Sequence, residues 1–327
     1  MTFALRAGDR GEPVRDLRER LASAGMDVRV DDVFDADTEA AVRAFQRRRG
    51  LRVDGVCGAE TWGALIESGF RLGDRLLYLT GDMIRGDDVV DLQHRLNALG
   101  FDAGREDGIL GPETETAVRS FQRNAGIAAD GVCGPTTLQV LYRVSGLAAG
   151  SVATVRERER LRRDPQRLDG RRVFLVIDPA VAPLAIPVAR RLSALGARVG
   201  TDTSGDDPGV LAREANRFRA DVFCALTQGA DGGARCAFFA NDTFRSEGGH
   251  LLALRLTEAL RGVLKDVDDP VGRAYRLLRE TRMAAVVCEL VGRDDAEGTA
   301  LMAARMPDVI EAVVTGIRRG VEEPPEE

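Results

Sequence analysis

The sequence predicts a mixed fold: two small all-α three-helix modules followed by a layered α/β domain with a mainly parallel sheet. Three observations lead there. The first half repeats itself with a period of about 75 residues, a densely charged stretch follows, and beyond it continuous apolar runs alternate with amphipathic segments. The expected boundaries are 1–70 and 71–145 for the modules, 146–171 for a linker, 172–320 for the α/β domain and 321–327 for an acidic tail.

In the repeat, Val14-Arg-Asp-Leu-Arg-Glu-Arg-Leu21 returns as Val89-Val-Asp-Leu-Gln-His-Arg-Leu96 and Ala41-Val-Arg-Ala-Phe-Gln46 as Ala117-Val-Arg-Ser-Phe-Gln122. Asp54-Gly-Val-Cys-Gly58 returns unchanged as Asp130-Gly-Val-Cys-Gly134. The period is too long for a solenoid and suits a small domain copied in tandem. Val14, Leu17 and Leu21, like Val89, Leu92 and Leu96, fall at i, i+3, i+7 and line one face of a first helix, which Gly25 or Gly100 ends. A second helix turns Ala41, Val42 and Phe45, or Ala117, Val118 and Phe121, inward, with Asp37 or Pro112-Glu113 at its entry. The Asp-Gly and Cys-Gly pairs suit tight turns, and a closing helix buries Trp62 and Leu65 or Leu138 and Leu141. Phe45, Phe121, Cys57 and Cys133 read as packing residues, and His94 as a surface histidine.

From Gly146 the small residues read as a flexible linker, and Arg156-Glu-Arg-Glu-Arg-Leu-Arg-Arg163 reads as a solvated helix of alternating charge. The α/β domain then offers a strand at Val173–Ile177, a helix at Ile186–Leu195, and strands at Ala220–Leu226 and Ala284–Glu289. In such sheets ligands gather at the carboxyl ends of the strands.

Composition narrows the function. A formal charge of −6 supplies no positive field for nucleic acid or anionic lipid, and Lys265 is the only lysine, which sets aside lysine chemistry. No basic n-region with an apolar core opens the chain and no stretch approaches ~20 apolar residues, so a cytoplasmic location is expected. The cysteines, Cys57, Cys133, Cys224, Cys236 and Cys288, are odd in number and widely spaced, as buried reduced thiols would be.

The patterns Val-x-x-Leu-x-x-x-Leu, Ala-Val-x-x-Phe-Gln and Asp-Gly-x-x-Gly-x-x-Thr, present in both copies, resemble the peptidoglycan-binding domain family. The second half resembles the zinc-dependent N-acetylmuramoyl-L-alanine amidases, which implies an amidase-like α/β domain. In that family the first strand ends in Asp-Pro-Gly-His-Gly-Gly, a later one in Ile-His-Ala-Asn and the last in Val-Glu-x-Gly-Phe. The two histidines and a glutamate hold zinc, and the final glutamate is the acid/base. Here Asp178-Pro-Ala-Val-Ala-Pro183 puts Val181 at the first histidine, and Ala220-Asp-Val-Phe-Cys-Ala-Leu-Thr-Gln-Gly229 puts Thr227 at the second. Pro183-Leu-Ala-Ile-Pro187 offers no ligand glutamate, and Glu214 reads as a surface residue. Glu289 alone stands at the position of the catalytic acid, as a vestige. The expected metal ligands are none and no cofactor is expected. Zinc belongs only to an alternative reading that would draw on Asp178, Cys224, Cys236, Glu289 and His250.

Domain order, degraded motifs and Arg279-Glu-Thr-Arg-Met283 resemble a CwlM-like group of actinobacterial amidase homologues. That resemblance implies a cytoplasmic, catalytically silent regulator of peptidoglycan precursor synthesis. It would act through contacts with wall-synthesis enzymes, notably the one that makes enolpyruvyl-UDP-N-acetylglucosamine. The alternatives are an active muramoyl-peptide amidase and a sensor of peptidoglycan fragments or precursors. The tail Glu322-Glu-Pro-Pro-Glu-Glu327 lacks the phosphorylatable threonine that group members can carry, which leaves Thr154, beside an arginine cluster, as a substitute candidate.

Overall fold

A computed structural model describes residues 4–144, 152–163, 167–229 and 233–323. The chain divides into two compact units, residues 1–155 with 241–244 and residues 156–240 with 245–327.

The first unit holds both helical modules. One consists of α1 (Glu12–Ser23), α2 (Ala36–Arg48) and α3 (Ala59–Glu67), the other of α4 (Asp87–Ala98), α5 (Pro112–Asn124) and α6 (Pro135–Val144). Each has its own core: Val14, Leu17, Leu21, Phe34, Val42 and Phe45 in the first, Val89, Leu92, Leu96, Leu110, Val118 and Phe121 in the second. Cys57 and Cys133 are fully buried and pair by backbone bridges with Leu5 and Leu77, so the slot admits only a small apolar side chain. Burial, with the nearby charges of Asp54 and Asp88 respectively, pushes both thiols up to about 12.

Each loop between helices is tied by one buried polar side chain. The Gln46 amide donates to Asp54 Oδ1, the Val56 carbonyl and Thr61 Oγ1 at 2.8, 3.0 and 3.1 Å, and its oxygen accepts from the Gly55 N–H at 2.9 Å. Gln122 repeats this with Asp130, Val132, Thr137 and Gly131. Gln93 repeats it again with Asp107, Ile109, Thr114 and Gly108, so the device serves both loops of the second module. Gly55, Gly108 and Gly131 all adopt φ near +75°, which frees the N–H to meet the glutamine. In the first loop of the first module Arg18 takes the glutamine's place. It is 1% exposed and donates to the carbonyls of Arg29 and Val33 and to Thr38 Oγ1, with Asp31 and Asp35 at 3.0 and 3.2 Å. Arg49 then joins the modules through two hydrogen bonds to Asp87, in the first turn of α4.

His94 is half-buried rather than on the surface: its Nδ1 lies 3.0 Å from Glu106 Oε2, and Glu106 is wholly buried with Asn97 on its other oxygen. A buried carboxylate needs such partners, and sequence periodicity cannot show one supplied from twelve residues away.

The charged segment expected to be a solvated linker helix is α7 (Val152–Arg163). Residue 145 of the second predicted module, residues 146–151 and 164–166 of the predicted linker, and 324–327 of the predicted tail lie outside the described residues.

The second unit is a three-layer α/β fold. Its strands are β1 (Arg172–Ile177), β2 (Arg198–Asp202), β3 (Val222–Gly229), β4 (Arg235–Phe239), β5 (Val271–Arg273) and β6 (Ala284–Gly292). The described residues form a sheet of order β2-β1-β3-β6-β4-β5, parallel except where β4 runs antiparallel to β6. The helices are α8 (Ala185–Ala194), α9 (Pro208–Phe218), α10 (Glu247–Arg261), α11 (Arg276–Glu280), α12 (Ala296–Ala304) and α13 (Met306–Glu322). On one face Val173, Leu175, Ile177, Cys224, Leu226, Cys236 and Cys288 pack with α8, α10 and α13. On the other Phe174 meets Phe218 of α9 and Phe223, with ring centroids 5.6 and 6.4 Å apart. Gly316 lets α13 lie close on α10, because a Cβ there would stand 2.7 Å from Leu256 Cα.

In this unit α7 is anchored rather than free. Glu157 accepts from Ser246 Oγ and from the Glu247 and Gly248 N–H groups at the start of α10, and Arg158 pairs with Glu247 at 3.2 Å. The orphan amides and positive end of α10 are thereby neutralised by a carboxylate from elsewhere in the chain. Among the described residues, no helix is long and apolar enough to cross a membrane.

Candidate functional site

The residues singled out by the amidase motifs sit at the carboxyl ends of β1, β3 and β6. After β1, Asp178 caps a short 3₁₀ helix, Pro179–Leu184, by accepting from the Ala180 N–H at 2.8 Å. Its own N–H donates to the Leu226 carbonyl at 2.9 Å, which ties the turn to β3. Val181 lies inside that helix, 2% exposed, with its side chain in the α8/α10/α13 core. The position is filled by a packing residue that offers no donor atom.

Thr227 and Glu289 do meet. Strand register pairs Thr227 on β3 with Glu289 on β6, and Glu289 with Arg235 on β4, so the three form one row across the sheet. Their neighbours Leu226, Cys288 and Cys236 all point to the α8/α10/α13 core, so alternation turns the row to the opposite face. Glu289 is 7% exposed there. Thr227 Oγ1 is buried without a hydrogen-bond partner, and the register shifts just after it.

Arg235 is the residue that sequence reasoning missed. Its guanidinium donates twice to Asp268, at 3.2 and 3.0 Å. Burial works against its charge, but the Asp268 hydrogen bond and the negative charges of Glu289 and Asp268 outweigh it and hold the pKa above the ordinary arginine value. Directly opposed residues on antiparallel strands bring their Cβ atoms to about 5 Å. The counter-charge beside Glu289 is therefore a guanidinium. Only the antiparallel register of β4 reveals it, because no motif predicts that strand.

The sheet separates the other residues weighed as substitute ligands. Cys224 and Cys236 are fully buried in the α8/α10/α13 core, and His250 stacks edge-on against Phe238 there at 4.9 Å. Burial and the charge of Arg245 lower the His250 pKa. Glu289 faces the other way. Glu214, on α9, is half-buried, and Thr154 lies in the first turn of α7. Among the described residues, no group of three or more histidine, cysteine or acidic side chains is placed to hold a metal ion. Zinc needs three nitrogen, sulfur or oxygen donors around an open position. An isopropyl group, one hydroxyl and a carboxylate faced by arginine do not fit it.

Three comparisons bear on this arrangement. A family model described as a putative peptidoglycan binding domain matches residues 10–65 and 85–141. The N-acetylmuramoyl-L-alanine amidase CwlM of Mycobacterium tuberculosis is 39% identical over 260 residues, covering 70% of this chain and 62% of that protein. The N-acetylmuramoyl-L-alanine amidase CwlL of Bacillus licheniformis is 31% identical over 156 residues, 41% of this chain and 43% of that one. The chain thus matches less than two thirds of the length of these relatives. Among solved structures, the N-acetylmuramoyl-L-alanine amidase of Clostridium difficile 630 aligns with a TM-score of 0.43 at 16% identity, over 48% of this chain and 100% of that one.

Proposed function

Because its two helical modules match the peptidoglycan-binding domain family and 70% of the chain aligns with CwlM, we propose that this protein is a CwlM-like, catalytically silent amidase homologue with an amidase-type α/β domain. In this reading it works in the cytoplasm, regulating peptidoglycan precursor synthesis by contact with wall-synthesis enzymes, foremost the enzyme that forms enolpyruvyl-UDP-N-acetylglucosamine. The single observation that carries the silent part is the row Thr227–Glu289–Arg235. A hydrolytic site would need a metal-bound water opposite a carboxylate free to take its proton. Here one ligand position is a hydroxyl, another is a valine in the core, and the carboxylate is matched by an arginine. Glu289 then serves a structural role, its charge balanced by the arginine in register with it on β4.

The test is direct. Purified protein should bind that enzyme and change its turnover, and cell fractionation should place both in the cytosol. Absence of binding together with unchanged turnover would remove the proposal. The amidase names of CwlM and CwlL favour a second reading, hydrolysis of the muramoyl-peptide bond. Near-stoichiometric zinc in the purified protein, with release of stem peptide from muropeptides, would establish it. The family of the helical modules also favours binding of peptidoglycan fragments or precursors, which titration calorimetry with UDP-linked precursors reads out.

A further inference from the structure

We propose that Cys236 and Cys288 are a disulfide-forming pair, closed by a low-molecular-weight disulfide that reaches them when the edge of the sheet opens. The proposal is independent of the function argued above. The two residues face each other in register on the antiparallel strands β4 and β6, with their sulfurs 3.0 Å apart. Cross-strand neighbours hold their Cα atoms about 4.5–5.5 Å apart, inside the span a disulfide bridges. The sulfurs therefore need only a small rotation to bond. Cys224 also lies near the Cys288 thiol, but register sets it beside Val286, so it is offset from Cys288 along the strand. The trio is not arranged to bind a metal ion among the described residues.

All three thiols are fully buried, and burial pushes the Cys288 pKa well up, so the closed fold keeps the pair inert. Access lies over β5, a three-residue edge strand beside β4 and the shortest in the sheet. Short edges are where local opening costs least. Once open, a thiolate of the pair attacks the external disulfide, forms a mixed disulfide and releases one thiolate of the oxidant. The second cysteine gives its proton to solvent and displaces the other half. Two S–H bonds are lost, one S–S bond is gained, and the oxidant leaves as two thiols. The new bond would pin β4 to β6 one residue from the Arg235–Glu289 pair.

The experiment uses the full chain, folded by circular dichroism, incubated with excess oxidised glutathione, then alkylated in denaturant and digested with trypsin. The three cysteines fall in separate peptides, 220–235, 236–245 and 283–293. The expected result is a link between 236–245 and 283–293 lighter by two hydrogens, with Cys57 and Cys133 alkylated. Its rate of formation should level off as oxidant rises, since opening is limiting. Cys224→Ala should keep the link, and Cys236→Ala should abolish it. Full alkylation of all the cysteines after prolonged treatment, or a link that runs through Cys224, would overturn the proposal. Because the mapping is done on the unsubstituted protein, a variant that fails to fold does not rescue it.

Discussion

The two helical modules share one scaffold but fasten their first loop with different chemistry, Gln93 in the second and Arg18 in the first. A glutamine side chain both donates and accepts, so it can take the N–H of Gly108 as well as give to Asp107, Ile109 and Thr114. Arginine has no acceptor. Where Arg18 stands, the residue matching Gly108 is Asp32, which has no left-handed backbone, and the loop is held by carbonyls and by Asp31 and Asp35 instead. Side chain and turn change together, and the tie survives. The two positions that the amidase resemblance assigns to ligands show no such exchange: Val181 packs in the core and the Thr227 hydroxyl is buried without a hydrogen-bond partner.

Trp62, the only tryptophan, reports on the first module alone, which makes the comparison measurable in the intact chain. The largest effect is expected from Arg18→Met, which leaves Asp31, Asp35 and two carbonyls without their cation. The first module should lose about 3–5 kcal/mol, seen as an early Trp62 transition in urea. Retention of wild-type stability would show that the buried guanidinium is dispensable. Next comes the amide tie. Gln46→Leu, followed by Trp62, and Gln122→Leu, followed by calorimetry, should each cost about 2–3 kcal/mol, since several partners lose their bonds at once. If the two losses differ widely, the ties are equivalent in geometry only.

A smaller effect separates the turns themselves. Gly108→Ala forces a Cβ onto φ +74°, 2.9 Å from Val90 Cγ2, and should cost about 1–2 kcal/mol or slightly more, whereas Asp32→Ala should cost under ~0.5 kcal/mol. The smallest is a dependence on acid. Hydrogen bonds from the Thr38 backbone and hydroxyl, with Arg18 nearby, lower the Asp35 pKa from 3.8 to about 2. A depressed folded pKa means the stabilisation is complete above the unfolded value and fades as pH falls from 3.8 toward 2. The Trp62 transition should shift over that window, and Asp35→Asn should flatten the shift. The second module has Gly111 at the matching cap and lacks this contribution.

Much of this architecture could be read from the residues, for reasons the elements make plain. The modules were legible because a tandem copy displays its core twice. The role of Gln46 and Gln122 was not, although both stood inside the repeated motif, because an isolated glutamine beside a phenylalanine looks like a helix surface. The available signal was the recurrence of Asp-Gly-x-x-Gly-x-x-Thr within one module, at Asp107–Thr114 and again at Asp130–Thr137. In the sheet, β1, β3 and β6 announced themselves as buried apolar runs. β2 is half-exposed and β5 has three residues, so neither carries a periodic signal. Missing β4 hid Arg235, and with it the positive charge in register with Glu289. Long-range register is set by pairing, and short sequence windows do not record it.

The carboxylate of Glu157 seated on the first amides of α10 places the limit of folding autonomy well ahead of the first strand. A shortened protein that began at Arg172 would keep every strand yet expose three donors at the start of its longest sheet-packing contact helix but one. A protein that began a few residues before Glu157 should express better and melt higher than one cut at the strand.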